Sequence, residues 1–247
     1  MDYLQKLIVD IEIQSVEGIR ECFENGISPN DLHNNKPLIY DLINEYPRGP
    51  KFSESVRTFI EYGLSFEDKI LLAVFANDPT ELQKLLLQNS TAINNTYSFN
   101  CTFTPLYKAS LLHICAEYNH VDCAEVLVKY GADVNVKAGV DENGFGGQTA
   151  IFHTVNQHAN KCIDMMRFLI AHNADLHYTV KGLVWGKGYE WETFIPSVNP
   201  LSYAMMGLLR QFQRTEEWIY EVVSILMKAA YGIDYTIPNI PNKYLQS

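Results

Sequence analysis

Apolar and polar residues alternate along the chain in paired runs with helical spacing. The clearest example is SLLHICAEYNHVDCAEVLVKYGADVN, residues 110–135. Two amphipathic runs each place their apolar side chains on one face, and the polar pair Asn119 and His120 separates them. Gly131 then stands where a helix needs a left-handed C-terminal residue, and ADVN leads away as an extended segment. The pattern predicts a helical hairpin.

The same pattern recurs along the chain. Aligned on the first position of each run, units start near Asp2, Lys36, Asp68, Ser110, Thr149 and Asn199. Each second run is followed by a residue type that tolerates positive φ: Gly26, Gly63, Asn89, Gly131, Asn173 and Gly232. Because one helix pair cannot bury its apolar face alone, such units must stack. The sequence therefore predicts an all-α repeat solenoid of about six helix-turn-helix units, forming a single domain over residues 1–247.

The unit resembles an ankyrin repeat. Ser110 and His113 occupy the first and fourth positions of the T-P-L-H-x-A signature, and Ala116 closes it one position late. The resemblance covers nearly the whole chain, and it implies a protein-binding role along the concave face of the solenoid. The loose signature matches are more similar to free-standing bacterial ankyrin proteins than to long animal scaffolds.

Three of the intervals between units exceed the family period of about 33 residues. An insertion inside a helix would break the stack, so the extra residues are expected in β-hairpin or loop fingers between repeats. The fingers are predicted near residues 94–107, 137–148 and 177–198. Specificity for a partner is expected in these fingers.

Aromatic side chains concentrate in the three fingers. The partner-binding candidates are Tyr97, Phe99, Phe145, Trp185, Tyr189, Trp191 and Phe194. Trp and Tyr dominate the energetic centres of protein interfaces because they are large, rigid and partly polar. The alternative is that these rings pin the fingers to the repeats beneath, and this is favoured for at least two of the four in the third finger. Both roles can coexist on different faces.

Two groups of residues superficially suggest metal sites. The hairpin at 110–135 contains His113, Cys115, His120 and Cys123. A zinc site needs four converging ligands, whereas the repeat distributes these residues over core and surface. The segment 141–144, DENG, lacks the register of a calcium-binding EF-hand loop. We therefore predict no metal and no cofactor.

Charge and cysteine usage exclude several classes of partner. The net charge of −10 and the lack of a basic run give nucleic acid and anionic membranes no general attraction. The N-terminus has no basic n-region, and no apolar stretch approaches membrane-spanning length. The five cysteines are scattered without a CxxC pair, as in reduced cytosolic proteins. These features predict a cytoplasmic monomer without nucleic-acid or membrane partners, and Pro238 and Pro241 predict an extended tail.

The catalytic patterns G-x-S-x-G and H-E-x-x-H and the kinase and nucleotide-binding patterns do not occur. The chain is therefore predicted not to be an enzyme. The leading hypothesis is an interaction module that binds one unidentified protein through its concave face and inserted loops. The alternative is an inhibitor or immunity protein that masks a basic toxin or enzyme, with its acidic charge accelerating the encounter.

Overall fold

The structure is a computed structural model that describes residues 2–45, 48–100, 103–206 and 214–234. The chain has a helix-turn-helix repeat fold with short antiparallel strand pairs between some of the helices. It divides into two compact units, Met1–Ala92 and Ile93–Ser247. The number of six repeats, the solenoid and the single domain over 1–247 stay predictions. The predicted extended tail with Pro238 and Pro241 lies outside the described residues.

The first unit consists mainly of paired helices. Its elements are α1 (Tyr3–Glu12), α2 (Val16–Glu24), β1 (Leu32–His33), β2 (Lys36–Pro37), α3 (Ile39–Asn44), α4 (Lys51–Glu61), α5 (Lys69–Phe75) and α6 (Pro79–Gln88). Helix α1 packs on α2, and α5 packs on α6. The core includes Phe52 and Phe75, whose rings meet edge to face with centroids 5.9 Å apart. The apolar faces read from the sequence therefore pack against one another in this unit.

The second unit carries the three predicted fingers. Its elements are β3 (Thr96–Phe99), β4 (Leu106–Ser110), α7 (Leu111–Tyr118), α8 (Val121–Lys129), α9 (Ile163–Ala171), β5 (Val180–Trp185), β6 (Thr193–Val198), α10 (Pro200–Ala204) and α11 (Glu216–Tyr231). Strand β3 pairs antiparallel with β4, and β5 with β6. The second finger holds a single antiparallel bridge between Val140 and Gly146. Helix α7 packs on α8, and both contact α9.

Most of the aligned unit starts are helix caps. The residues in the N-cap position are Asp2, Asp68, Ser110, Thr149 and Asn199. Asp68 accepts a hydrogen bond from the Leu71 amide, which satisfies one of the unpaired donors of the first helical turn. Lys36 is not a helix cap, because it lies in β2 and the helix begins only at Ile39.

The residues predicted to take positive φ after the second helices do so in five of six places. These are Gly26, Gly63, Gly131, Asn173 and Gly232. The prediction is wrong for Asn89, whose φ is −142°. Its side-chain oxygen accepts a hydrogen bond from the Thr91 hydroxyl, and the chain enters a 3₁₀ helix over Ser90–Asn94 instead of a left-handed cap.

The helix after Thr149 is a 3₁₀ helix over Ala150–His153, not an α-helix. Two side chains donate hydrogen bonds to backbone carbonyl oxygens that would accept from backbone amides if an α-helix continued here. The Thr154 hydroxyl donates to the Ile151 carbonyl oxygen, and the Gln157 amide donates to the His153 carbonyl oxygen, both at 2.8 Å. Such side-chain bonds to the backbone compete with helix propagation, which explains the short helix.

Candidate functional site

The third finger is a regular hairpin. Strands β5 and β6 pair from Val180 opposite Val198 to Trp185 opposite Thr193. Within the connecting turn, the Gly188 amide donates to Glu192 Oε2 at 2.7 Å, which holds the turn in one shape. Residues 186–192 therefore project from paired strands and are not a loose loop.

Trp185 faces inward from this hairpin. Only 2% of its surface is exposed, and its ring lies 5.6 Å from that of Phe103 in the first finger. Side chains alternate across a strand, and Leu183, two residues earlier, is buried as well. Trp185 therefore packs between fingers and is not available to a partner. A buried position of this kind is what the packing alternative for the finger aromatics describes.

Tyr189 and Trp191 face outward from the turn. Tyr189 is 36% exposed and Trp191 is 39% exposed. Their rings stack with centroids 4.8 Å apart and an interplanar angle of 17°. Each ring limits the motion of the other, so the pair presents a rigid aromatic surface to solvent.

Phe194 and Phe145 join the second and third fingers. Phe194 on β6 is 48% exposed, and its ring centroid lies 4.6 Å from that of the half-buried Phe145. Lys181 Nζ lies 5.2 Å from the Phe145 ring centroid and donates to the Asn143 carbonyl oxygen. The Phe145 ring is thus held between the Phe194 ring and Lys181 Nζ, while one face of the Phe194 ring stays open to solvent.

The two candidate aromatic residues of the first finger, Tyr97 and Phe99, are less exposed. Tyr97 and Phe99 are half-buried on β3, and their rings stack with centroids 6.3 Å apart. Phe99 packs against Leu106 and Ala109 of the paired strand. Tyr107 on β4 is the most exposed aromatic residue of the first finger, at 41%. It was not among the candidates from the sequence.

Asp141 shapes the second finger. Its Oδ1 accepts hydrogen bonds from the backbone amides of Asn143 and Phe145 at 3.0 and 2.9 Å. The Phe145 amide is the main reason that the pKa of Asp141 lies below its usual value. This carboxylate oxygen is therefore occupied by the turn, in agreement with the interpretation of DENG as a turn.

Backbone hydrogen bonds connect the three fingers in a closed ring. The Gly139 amide donates to the Tyr107 carbonyl oxygen at 2.9 Å, and the Gly146 amide to that of Gly182 at 2.8 Å. The Gly186 amide donates to the Phe103 carbonyl oxygen at 3.1 Å, which returns to the first finger. We call this set of three bonds the finger ring. Pairing between residues so distant in sequence was not visible in the pattern.

A glycine is required where the fingers approach most closely. A Cβ atom on Gly182 would lie 2.5 Å from the nearest atom of the Phe194 ring. A Cβ on Gly139 would lie 2.8 Å from Lys108 Cβ. Gly139 therefore permits a tight contact between the second finger and β4, and Gly182 a tight contact within the third finger.

A cavity of about 380 Å³ lies among the three fingers. Its apolar lining comes from all three and includes Phe99, Leu106, Tyr107, Phe145 and Val184. Charged side chains from the second and third fingers also line it, namely Asp141, Glu142 and Lys187. Lys187 Nζ lies 3.5 Å from Asp141 Oδ2. The candidate site thus combines an aromatic cavity with the exposed Tyr189–Trp191 stack.

The histidines and cysteines of the hairpin at 110–135 are all buried, so the expected distribution over core and surface is wrong. His113 Nδ1 accepts from the Ser110 amide, and its Nε2 donates to the Gln148 carbonyl oxygen at 3.0 Å. Burial, with the neighbouring His153, lowers the pKa of His113 to about 3, and burial raises the pKa of the Cys115 thiol. Both ring nitrogens of His113 are therefore engaged in hydrogen bonds. Among the described residues, no group of three or more His, Cys, Asp or Glu could hold a metal ion.

A buried pair of polar side chains that could not be predicted from the sequence joins two repeats. His153 Nδ1 lies 2.8 Å from Glu117 Oε2, and neither side chain is exposed. A glutamate is usually on the protein surface, so the burial of Glu117 could not be predicted from the pattern of apolar residues.

In the part of the chain that the structure describes, no helix has the length and apolar character needed to cross a bilayer.

Comparison with known proteins identifies the repeat. Residues 70–181 match a family model for ankyrin repeats in three copies. A protein of Rickettsia bellii (strain RML369-C), named as an ankyrin repeat protein, is 27% identical over 143 residues, which cover 55% of this chain. The matched region is 40% of that protein, so the chain corresponds to less than half of the relative's length.

Proposed function

Since the chain is an ankyrin-repeat protein, we propose that it binds one partner protein through the surface formed by its three fingers. Ankyrin repeats are in general protein-interaction modules and typically not enzymes. The observation that carries the proposal is the Tyr189–Trp191 stack, which stays exposed while Trp185, in the same finger, is buried. An exposed, ordered aromatic pair is characteristic of interface hot spots.

The way the fingers are held supports this proposal. A flexible loop loses conformational entropy when it binds, and this loss reduces affinity. Here the finger ring and the hydrogen bond between Gly188 and Glu192 order the third finger before any partner arrives. Glu190 and Lys187 stand beside the aromatic pair as exposed charges, in keeping with the polar rim of many interfaces.

Two of the seven candidates from the sequence are not assigned as partner contacts in this proposal. Trp185 is assigned to packing, and Phe145 holds Phe194 in place. The proposed contacts with a partner come from Tyr189, Trp191 and Phe194, with further contacts from Tyr97 and from Phe99, which lines the cavity. The predicted cytoplasmic location, the monomeric state and the use of a concave face stay predictions.

The test is affinity capture from native lysate with the intact protein and a Tyr189→Ala/Trp191→Ala variant. A Leu32→Ala/Leu87→Ala variant is the matched control, because it also removes two exposed apolar side chains, but in the first unit. Circular dichroism must first show equal folding. The proposal expects a partner that the intact and control proteins retain and the finger variant loses. Equal capture by all three proteins would contradict it.

The inhibitor or immunity function is a second candidate because of the net charge of −10. A strongly acidic chain accelerates association with a basic enzyme or toxin. For such a partner, the association rate should fall steeply between low and physiological salt, and the captured enzyme should lose activity in the complex. A rate that does not change with salt, together with undiminished partner activity, favours the general binding role.

A further inference from the structure

We propose that the cavity among the three fingers receives an arginine side chain of the partner protein. This inference rests on the proposed function, because it identifies the part of the partner that the fingers contact. The cavity and the Tyr189–Trp191 stack are separate surfaces, so they can be tested independently.

The size of the cavity sets the kind of occupant. Ligand pockets in proteins usually have volumes of about 300–1,000 Å³. At about 380 Å³, this cavity is at the small end of that range. It suits one extended side chain and a little of its backbone, not a helix or a folded loop of the partner.

The apolar lining suits a planar cation. The rings of Phe99 and Tyr107 line the cavity, and Phe145, which is held between Phe194 and Lys181, contributes to its wall. A guanidinium group stacks on aromatic rings and is more weakly hydrated than an ammonium group, so it loses less on entering such a site. The methylene groups of an arginine side chain can contact Val184 and Leu106.

The charges of the cavity favour a cation over an anion. Asp141 and Glu142 contribute two carboxylates, while Lys187 contributes one ammonium group. The net charge of −10 for the whole chain acts in the same direction. A guanidinium group presents several N–H donors in one plane, which allows it to bind a carboxylate with two hydrogen bonds.

Lys187 does not prevent entry of a second cation. Its side chain is 56% exposed, and its contact with Asp141 Oδ2 is 3.5 Å long. An exposed ion pair of this kind contributes little, because water screens its charges. Asp141 Oδ1 is engaged by the turn, so Oδ2 is the oxygen that an incoming guanidinium would take from Lys187.

The test is a titration of the ¹⁵N-labelled protein with small capped amino acids, followed by NMR. The probes are acetyl-arginine amide, the uncharged isostere acetyl-citrulline amide and acetyl-glutamate amide. Saturable shifts are expected at the amides of Gly139 and Gly146, which line the cavity. Arginine should bind about tenfold more tightly than citrulline because of its charge-assisted hydrogen bonds.

Three variants sharpen the test. Glu142→Gln and Asp141→Asn each remove one negative charge, and the asparagine keeps an oxygen for the turn amides, so both should weaken arginine binding. Lys187→Gln removes the competing cation and should strengthen it. Equal binding of arginine and citrulline, preference for glutamate, or no saturable shift at the cavity would each overturn the proposal.

The two proposals fail in different ways. The Tyr189→Ala/Trp191→Ala variant should bind acetyl-arginine amide as the intact protein does, because neither residue lines the cavity. If this variant loses the partner while the intact protein shows no arginine binding, the cavity proposal alone is wrong. If capture is unaffected by the variant but arginine binds at the cavity, the assignment of the aromatic stack is wrong.

Discussion

His153 Nδ1 and Glu117 Oε2 are 2.8 Å apart, and both side chains are fully shielded from solvent. The two residues belong to adjacent repeats of the second unit, since Glu117 lies in α7 and His153 ends the following 3₁₀ helix. Removing one partner of such a pair leaves a polar group buried without compensation, which costs far more than the loss of a surface contact.

We expect Glu117→Ala to lower the free energy of unfolding by about 3–5 kcal/mol. Glu117→Gln should cost less, because its side-chain oxygen can still accept from the His153 ring. Urea unfolding followed by circular dichroism gives the values. The control is Glu125→Ala on α8, where the side chain is exposed and a change within about 0.5 kcal/mol is expected. Equal losses for Glu117→Ala and Glu125→Ala would rule out a structural role for the pair.

The free energy of unfolding should decrease on acidification because His113 is buried in the folded protein. The pKa of His113 in the folded protein is lowered to about 3, whereas a histidine in the unfolded chain has a pKa of about 6.5. Between these values the unfolded state binds more protons, so stability rises with pH and falls as the pH drops from about 6.5 towards 3. The main cause is burial, which keeps water away from a charged ring, and the neighbouring His153 adds to the effect.

The measurement is the unfolding free energy as a function of pH, for the intact protein and for His113→Gln. The variant should be less stable overall and should show a shallower slope across this window. His172→Gln, at an exposed site, should retain the slope of the intact protein. A His113→Gln slope identical to that of the intact protein would contradict the assignment.

The two tryptophans of the third finger should respond differently to truncation. Trp185→Ala removes a ring with 2% exposure and should destabilise the protein by about 3–5 kcal/mol. Trp191→Ala removes a ring with 39% exposure, so its effect on stability should stay within about 0.5 kcal/mol. Urea unfolding of the two single variants measures both effects, and a larger loss for Trp191→Ala would reverse the assignment of packing and binding roles.

Gly182→Ala should destabilise the third finger, because Gly182 on β5 packs closely against Phe194 on β6. The added Cβ would lie 2.5 Å from the Phe194 ring, and overpacking of this kind costs about 1–3 kcal/mol. A double-mutant cycle separates this clash from other effects. In a Phe194→Ala background the obstructing ring is absent, so Gly182→Ala should cost clearly less. An unchanged cost in that background would point to a cause other than Phe194.

The parts of the fold that depend on nearby residues were predictable from the sequence. Amphipathic runs gave the helices, and capping residues such as Asp68 and Ser110 marked their starts because caps act within one helical turn. The failures arose at local side-chain hydrogen bonds, which periodicity does not register. Asn89 accepts from the Thr91 hydroxyl, and the Thr154 hydroxyl donates to a backbone carbonyl oxygen of the preceding turn.

The candidate site was predictable only in part. The concentration of aromatic residues located the three fingers, but composition could not distinguish Trp185 from Trp191. That distinction depends on strand register, which places one ring inward and leaves the other in the turn. The cavity was equally invisible, because it depends on bonds between fingers that are far apart in sequence.

The finger ring also limits how this protein can be redesigned. Each of its three bonds joins a different pair of fingers, so shortening, lengthening or exchanging one finger removes two bonds at once. A loop graft that replaces a single finger would therefore disturb the other two as well. New binding specificities are better sought by varying the outward side chains of residues 186–192 on the existing backbone, or by transplanting all three inserts together as one cassette.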